Sequence, residues 1–79
     1  MVPRLGFGEA LDAIKNGCKA TRRGWNGKGM WIALRVPGDD TDMTREYVYM
    51  KTVDDQLVPW VASQTDLLAE DWEIINENE

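Results

Sequence analysis

Seventy-nine residues suffice for one domain with one modest core, because a chain this short buries only about 60% of the surface its unfolded form exposes. With one cysteine, Cys18, and no histidine, an internal disulfide and a multi-cysteine zinc site are excluded, and the usual metal ligand and the usual general base near neutral pH are missing. The net charge of −5 is unevenly divided: residues 1–35 carry seven Lys/Arg against two acids, residues 36–79 two against twelve.

The acidic half argues against wrapping long DNA or RNA, where affinity grows with the number of phosphates neutralised. A local basic pocket for one small anion stays open. So do two plainer readings of the charge division, solvated surface or attraction between opposite halves in an oligomer. Small domains without staples commonly gain stability by self-association, which makes subunit association a reasonable expectation. The first residues form no apolar run of signal-peptide length, and nowhere do about 18 apolar residues occur together, so a cytoplasmic chain that does not enter the membrane is expected.

Over 7–17, Phe7, Leu11 and Ile14 recur with Ala10 at three- and four-residue spacing, which predicts an amphipathic helix. Gly6 is its expected N-cap, with Glu9 three positions on, and Asn16-Gly17 its left-handed stop. Residues 18–23 read as a short strand with Lys19, Thr21 and Arg23 on one face and Cys18, Ala20 and Arg22 on the other. Then comes the glycine-rich loop Arg22-Arg23-Gly24-Trp25-Asn26-Gly27-Lys28-Gly29-Met30-Trp31, whose glycines permit backbone angles or close approaches that a side chain forbids.

Alternation over 30–36 sends Met30, Ile32, Leu34 and Val36 to the core. A polar loop follows at 37–42. Strands at 47–53 and 56–61 join through Asp54-Asp55 as a hairpin, and Pro59, which has no N–H to donate, makes the second an edge or ends it. Ser63 or Thr65 is the expected cap of a short helix over 66–70, followed by a closing strand at 72–75. The sum is an α+β domain spanning 1–79: a small, mostly antiparallel sheet with one N-terminal amphipathic helix and a short C-terminal helix.

Catalysis finds little support in this sequence. Asp39-Asp40 and Asp54-Asp55 lie in turns, where water screens them and nothing raises a carboxyl pKa for acid–base work. Lys28 between two glycines lacks the spacing, hydroxyl and helix of a Walker loop. Binding fares better. Trp25, Trp31, Trp60 and Trp72 are too many large rings for one such core to take easily. Trp72, followed by Ile74 and Ile75, is the expected core member, and Trp25, between Gly24 and Asn26-Gly27, is placed to be presented rather than packed. Arg22, Arg23 and Lys28 can reach an anion beside it, and Asn26 offers an amide donor and acceptor. Ser63, Thr65 and Asp66 add hydroxyls, helix-start amides and a carboxylate suited to ribose, or serve simply as caps.

Two long blocks, "FGEALDAIKNGCKATRRGWNGKGMWIAL" and "VYMKTVDDQLVPWVASQTDLLAEDWEII", closely resemble the Thoeris anti-defence proteins of the second type, small phage or prophage proteins. The resemblance covers residues 5 to 75 and is strongest at Gly24-Trp25-Asn26-Gly27-Lys28 and from Pro59-Trp60 to Asp71-Trp72. It implies a sponge and not an enzyme, needing no cofactor. Members capture cyclic ADP-ribose isomers made by bacterial TIR-domain proteins, some also capture cyclic dinucleotides, and they assemble as homotetramers with pockets between protomers. By this resemblance Phe7 and Trp25 line an adenine pocket, Asn26 hydrogen-bonds the ligand, and Thr65 and Asp66 meet phosphate or ribose from a neighbouring protomer, all within the infected bacterial host. The chain departs from the family at Asp54-Asp55-Gln56, where relatives often have an Asp-Gly turn, and at 37–46. A structural or protein-binding module, its tryptophans forming an oligomer interface, is the alternative.

Overall fold

A computed structural model describes residues 5–25, 28–39, 42 and 44–75. In chain order its elements are α1 (Phe7–Lys15), β1 (Lys19–Arg22), β2 (Trp31–Arg35), β3 (Tyr47–Lys51), β4 (Leu57–Pro59), α2 (Gln64–Leu68) and β5 (Trp72–Ile75). The five strands form one sheet in the order β4-β3-β2-β1-β5, and every neighbouring pair is antiparallel. The fold is α+β, as the sequence predicts.

Helix α1 starts at Gly6, which is extended and has no side chain with which to cap, while Glu9 in the first turn and Lys15 in the last complement the helix dipole. It stops at Asn16. Gly17 follows with φ of 94°, a conformation costly for any residue with a Cβ, and Cys18 N–H closes the turn on the Ala13 carbonyl at 3.0 Å. Ala10 and Ile14 are fully buried against Ala20, Ile32 and Trp72, with Leu5, Phe7, Leu11, Val48, Met50 and Ile74 packed around them. The register of β1 against β5 sets Ala20 opposite Ile74 and Arg22 opposite Trp72. Thus the alternation predicted for β1 places Arg22 on the core side, beyond the end of the apolar stripe.

Pro59 does lie in an edge strand, and the hairpin before it closes through Asp54-Asp55. Asp55 takes φ of 65°, the left-handed position that a glycine would fill without strain, and its carboxylate pairs with Lys51 at 2.8 Å. The Thr52 hydroxyl bonds Asp54 and accepts the Gln56 N–H. Strand β4 is the edge on one side of the sheet, and β5, paired with β1, is the edge on the other.

Three expectations are corrected. Val36 is exposed rather than core, because β2 ends at Arg35 and the alternation has no further strand to act on. Helix α2 occupies Gln64–Leu68 rather than 66–70, because Ser63 and not Thr65 is the cap: its hydroxyl accepts the Asp66 N–H and the Asp66 carboxylate accepts the Ser63 N–H. And the core does take several rings: Phe7, Trp25 and Trp60 all pack against Trp72, leaving only Trp31 on the other sheet face, where it meets Tyr49 and Lys19. Among the described residues no helix is long and apolar enough to cross a membrane.

Ile14→Ala is expected to lower the free energy of unfolding by about 2–5 kcal/mol, since it removes a buried side chain and leaves a cavity. Gly17→Ala, where an added Cβ meets nothing within 4 Å, is expected to cost about 1 kcal/mol through backbone strain alone. Urea unfolding of the two variants measures both, and equal losses would contradict the separation of packing from backbone.

Candidate ligand-binding site

The site is organised by a buried carboxylate. Asp66, in the first turn of α2, is 8% exposed, and its Oδ1 accepts Arg22 Nη1 at 2.8 Å and the Trp25 indole N–H at 3.1 Å. Its Oδ2 accepts the Ser63 backbone N–H at 3.1 Å. The Asp66 backbone carbonyl accepts the Trp72 indole N–H, also at 3.1 Å. Two tryptophans from distant parts of the chain are therefore tied by their N–H groups to one residue, which satisfies the only polar atom each buried or half-buried ring carries.

Asp71, just ahead of β5, holds the other side of Arg22. Its Oδ1 accepts Arg22 Nε at 2.8 Å, and its Oδ2 accepts the Gly24 N–H at 2.8 Å. The Arg23 N–H reaches the Asp71 carbonyl at 3.2 Å, and the Trp25 N–H returns to the Arg22 carbonyl at 3.3 Å, closing a turn. A Cβ on Gly24 would stand 2.8 Å from Asp71 Oδ2, so any larger residue here would push the Asp71 carboxylate aside; Gly29, with φ of 76°, is required for its backbone.

The electrostatics follow from these contacts. Burial pushes the Asp66 carboxyl up, but hydrogen bonds from Arg22, Trp25 and Ser63 outweigh it and hold the group below its ordinary 3.8. The Arg22 hydrogen bond, opposed by burial and aided by Gly24, holds Asp71 below 3.8 as well. Arg22 is raised, first by Asp71, against burial and with help from Asp66. All three groups are firmly ionised at neutral pH.

Of the residues singled out in the sequence, Arg22, Trp25 and Asp66 meet directly. Phe7 joins them through Trp72, with ring centroids at 5.5 Å, and Trp25 meets the same ring edge-on at 5.4 Å. Thr65 lies next to Asp66 in α2 and is exposed. Trp25 is half-buried and packed, where the sequence suggested a presented ring. Arg23 turns away to Glu73 at 3.4 Å on the far face of the sheet, Lys28 is exposed, and Asn26 lies outside the described residues.

Sequence reasoning named Asp71 and Trp60 in the resembling block but gave neither a place in the site; the local signal for Asp71 is its position directly before the core tryptophan. Trp60 packs edge-on against Trp72 with centroids at 6.2 Å and tilted against Phe7 at 5.9 Å. A groove of about 270 Å³ lies elsewhere, lined by Arg35, Tyr47, Tyr49, Leu57, Val58 and Pro59. Among the described residues no group of His, Cys, Asp and Glu could hold a metal ion.

Residues 5–75 match the Thoeris anti-defense 2-like domain. The chain is also 38% identical over 89 aligned residues to Thoeris anti-defense 2 of Bacillus phage SP01, an alignment covering 96% of this chain and 100% of that relative.

Arg22→Leu is expected to cost about 3 kcal/mol, because removing one partner leaves the buried Asp66 charge poorly compensated. Stability should also fall in acid. Both carboxylates have folded values below 3.8, so the stability they contribute is complete above that value and is lost as pH falls through the folded values. Asp71→Asn should make this acid decline shallower; an unchanged slope of unfolding free energy against pH would remove Asp71 from the account.

Proposed function

The chain belongs to the Thoeris anti-defense 2-like family, and from that premise we propose that it is a non-catalytic sponge for cyclic nucleotide immune signals, chiefly cyclic ADP-ribose isomers and secondarily cyclic dinucleotides. Acting in the cytoplasm of the infected bacterium, it keeps the signal from its Thoeris effector. The observation that carries this reading is the aromatic group of Phe7 and Trp25, each half-buried and seated on the fully buried Trp72. Such rings offer stacking surface for adenine while their backs are fixed. Stacking contributes about 1–3 kcal/mol per base and hydrogen bonds to charged groups about 1.5–3 kcal/mol each. Two rings and a few phosphate contacts therefore approach the roughly 12 kcal/mol of a nanomolar complex once ordering costs are offset.

The remaining site residues divide by accessibility. Thr65 and Lys28 are exposed and suited to phosphate or ribose, whereas the Arg23 side chain, paired with Glu73 on the far face of the sheet, would have to leave that pair to take part. Asn26 completes the set as a base-edge partner. Arg22 and Asp66 shape the site from within. An enzymatic role is disfavoured because both shifted carboxyls move downward, opposite to what a general acid or base near neutral pH requires.

Assembly as a homotetramer with shared pockets fits the apolar side chains beside α2: Val61, Leu67 and Leu68 are all exposed, and a second protomer meeting them could bring its own exposed Thr65 toward a Phe7–Trp25 wall, while each Asp66 stays committed to its own chain. A second reading, a protein-binding module, is favoured by the groove between Tyr47, Tyr49, Leu57 and Pro59 on the sheet face that no helix covers.

Calorimetry against a panel of cyclic ADP-ribose isomers and cyclic dinucleotides tests the proposal. Nanomolar binding is expected, with the ligand recovered chemically unchanged after denaturation; conversion to a linear product would establish an enzyme instead. Thr65→Ala and Lys28→Ala, both exposed, should weaken binding about tenfold without loss of folding. Absence of binding across the panel, with capture of a protein partner sensitive to Tyr49→Ala, would favour the second reading. Native mass spectrometry should give four subunits, and a stable monomer at micromolar concentration would reject the shared pocket.

A further inference from the structure

We propose that Asp71 is a positioning residue for the binding site: it sets the place of the Trp25 ring without touching the ligand, through Gly24 on one side and Arg22 on the other. This rests on the sponge reading for its functional consequence, but not for its geometry. Asp71 grips three consecutive residues. It takes the Arg22 side chain and the Gly24 N–H on its carboxylate and the Arg23 N–H on its carbonyl. Trp25 is the next residue, and the turn that delivers it is closed on Arg22.

Arg22 then carries the constraint inward. With Nε on Asp71 and Nη1 on Asp66, its planar guanidinium fixes the spacing between the two carboxylates, a task for which a fork of rigid donors is suited and a lysine is not. Asp66 Oδ1 in turn orients the Trp25 indole. Thus Asp71 acts on Trp25 by two routes, one along the backbone and one through two side chains, and both end at the same ring. Loss of Asp71 removes the acceptor of the Gly24 N–H and frees one side of Arg22, so the ring is no longer held at its backbone and its N–H partner drifts. Phe7, which reaches the site from α1 through the ring of Trp72 and not through Asp71 or Arg22, is expected to keep its place.

The test is nuclear magnetic resonance of the four indole N–H groups, assigned by Trp→Phe variants, combined with calorimetry using the cyclic ADP-ribose isomer that the wild type binds best. In Asp71→Ala, the Trp25 indole signal is expected to move toward that of a water-exposed indole. The Trp72 signal, whose N–H is held by the Asp66 backbone, should stay, and affinity should drop at least tenfold. Asp71→Asn, which keeps an oxygen for Gly24 but loses the charge on Arg22, should fall between. If Asp71→Ala does not fold, Gly24→Ala serves, because its Cβ would displace Asp71 Oδ2 in a backbone of ordinary φ, and the same selective movement of Trp25 is expected. An unmoved Trp25 signal in the folded variant overturns the proposal, as does a moved signal with affinity within twofold of wild type. Should the wild type bind none of the panel, the sponge reading fails by itself, and the selective Trp25 movement still decides whether Asp71 positions the ring.

Discussion

The structure turns on one buried charge. A carboxylate removed from water is costly unless donors replace its hydration, and Asp66 collects them from three separate parts of the chain: Arg22 at the end of β1, Trp25 in the loop beyond it, and Ser63 at its own helix cap. None can be absent without leaving an acceptor undersupplied. The carbonyl of the same residue holds Trp72, the largest buried side chain. One residue therefore fixes the entry of α2, the end of β1, the direction of the glycine-rich loop and the orientation of the central ring.

That constraint has a consequence for binding. Conformational freedom removed during folding need not be removed again on association, so a prearranged ring retains more of its stacking energy as affinity. Phe7, Trp25 and Trp60 all pack against Trp72, and the indole N–H groups of Trp25 and Trp72 are already satisfied inside the protein. In the proposed sponge, the polar work of holding phosphate and ribose would fall to exposed groups such as Thr65 and Lys28. On the proposed reading this separation, an apolar floor with a polar rim, would match the usual form of a small-molecule site.

How far the sequence carried this picture depended on the range of the interactions involved. Local patterns were legible: the Ala10–Ile14 stripe, the stop at Gly17, the alternation in β1 and in β2 as far as Arg35, the edge position of Pro59, and Trp72 as core. The choice between Ser63 and Thr65 was not, since two hydroxyls two residues apart give the same local signal and only the reciprocal bond with Asp66 decides. The role of Arg22 was further out of reach. Next to Trp25 and Lys28 it reads as an anion contact, and nothing nearby in sequence shows the carboxylates of Asp66 and Asp71 waiting more than forty residues later. Pairing between distant charges is a property of topology: the placing of β5 beside β1 brings them together.

The same topology explains the divided charge. Strand β1 belongs to the basic half and β5 to the acidic half, and their pairing places Arg22 against Asp66 and Asp71, and Arg23 against Glu73. Much of the asymmetry is thus complementarity within one chain rather than a field directed at a long polyanion. What is left over is a net charge of −5, which would repel an anionic signal at long range. At physiological salt that repulsion is screened beyond about 8 Å, so capture of the proposed ligand would depend on the donors next to the rings and not on the protein's overall charge. The proposed small, multiply charged ligand would meet those conditions because it needs few contacts at one place, whereas an extended nucleic acid would have to cross the acidic surface to find as many.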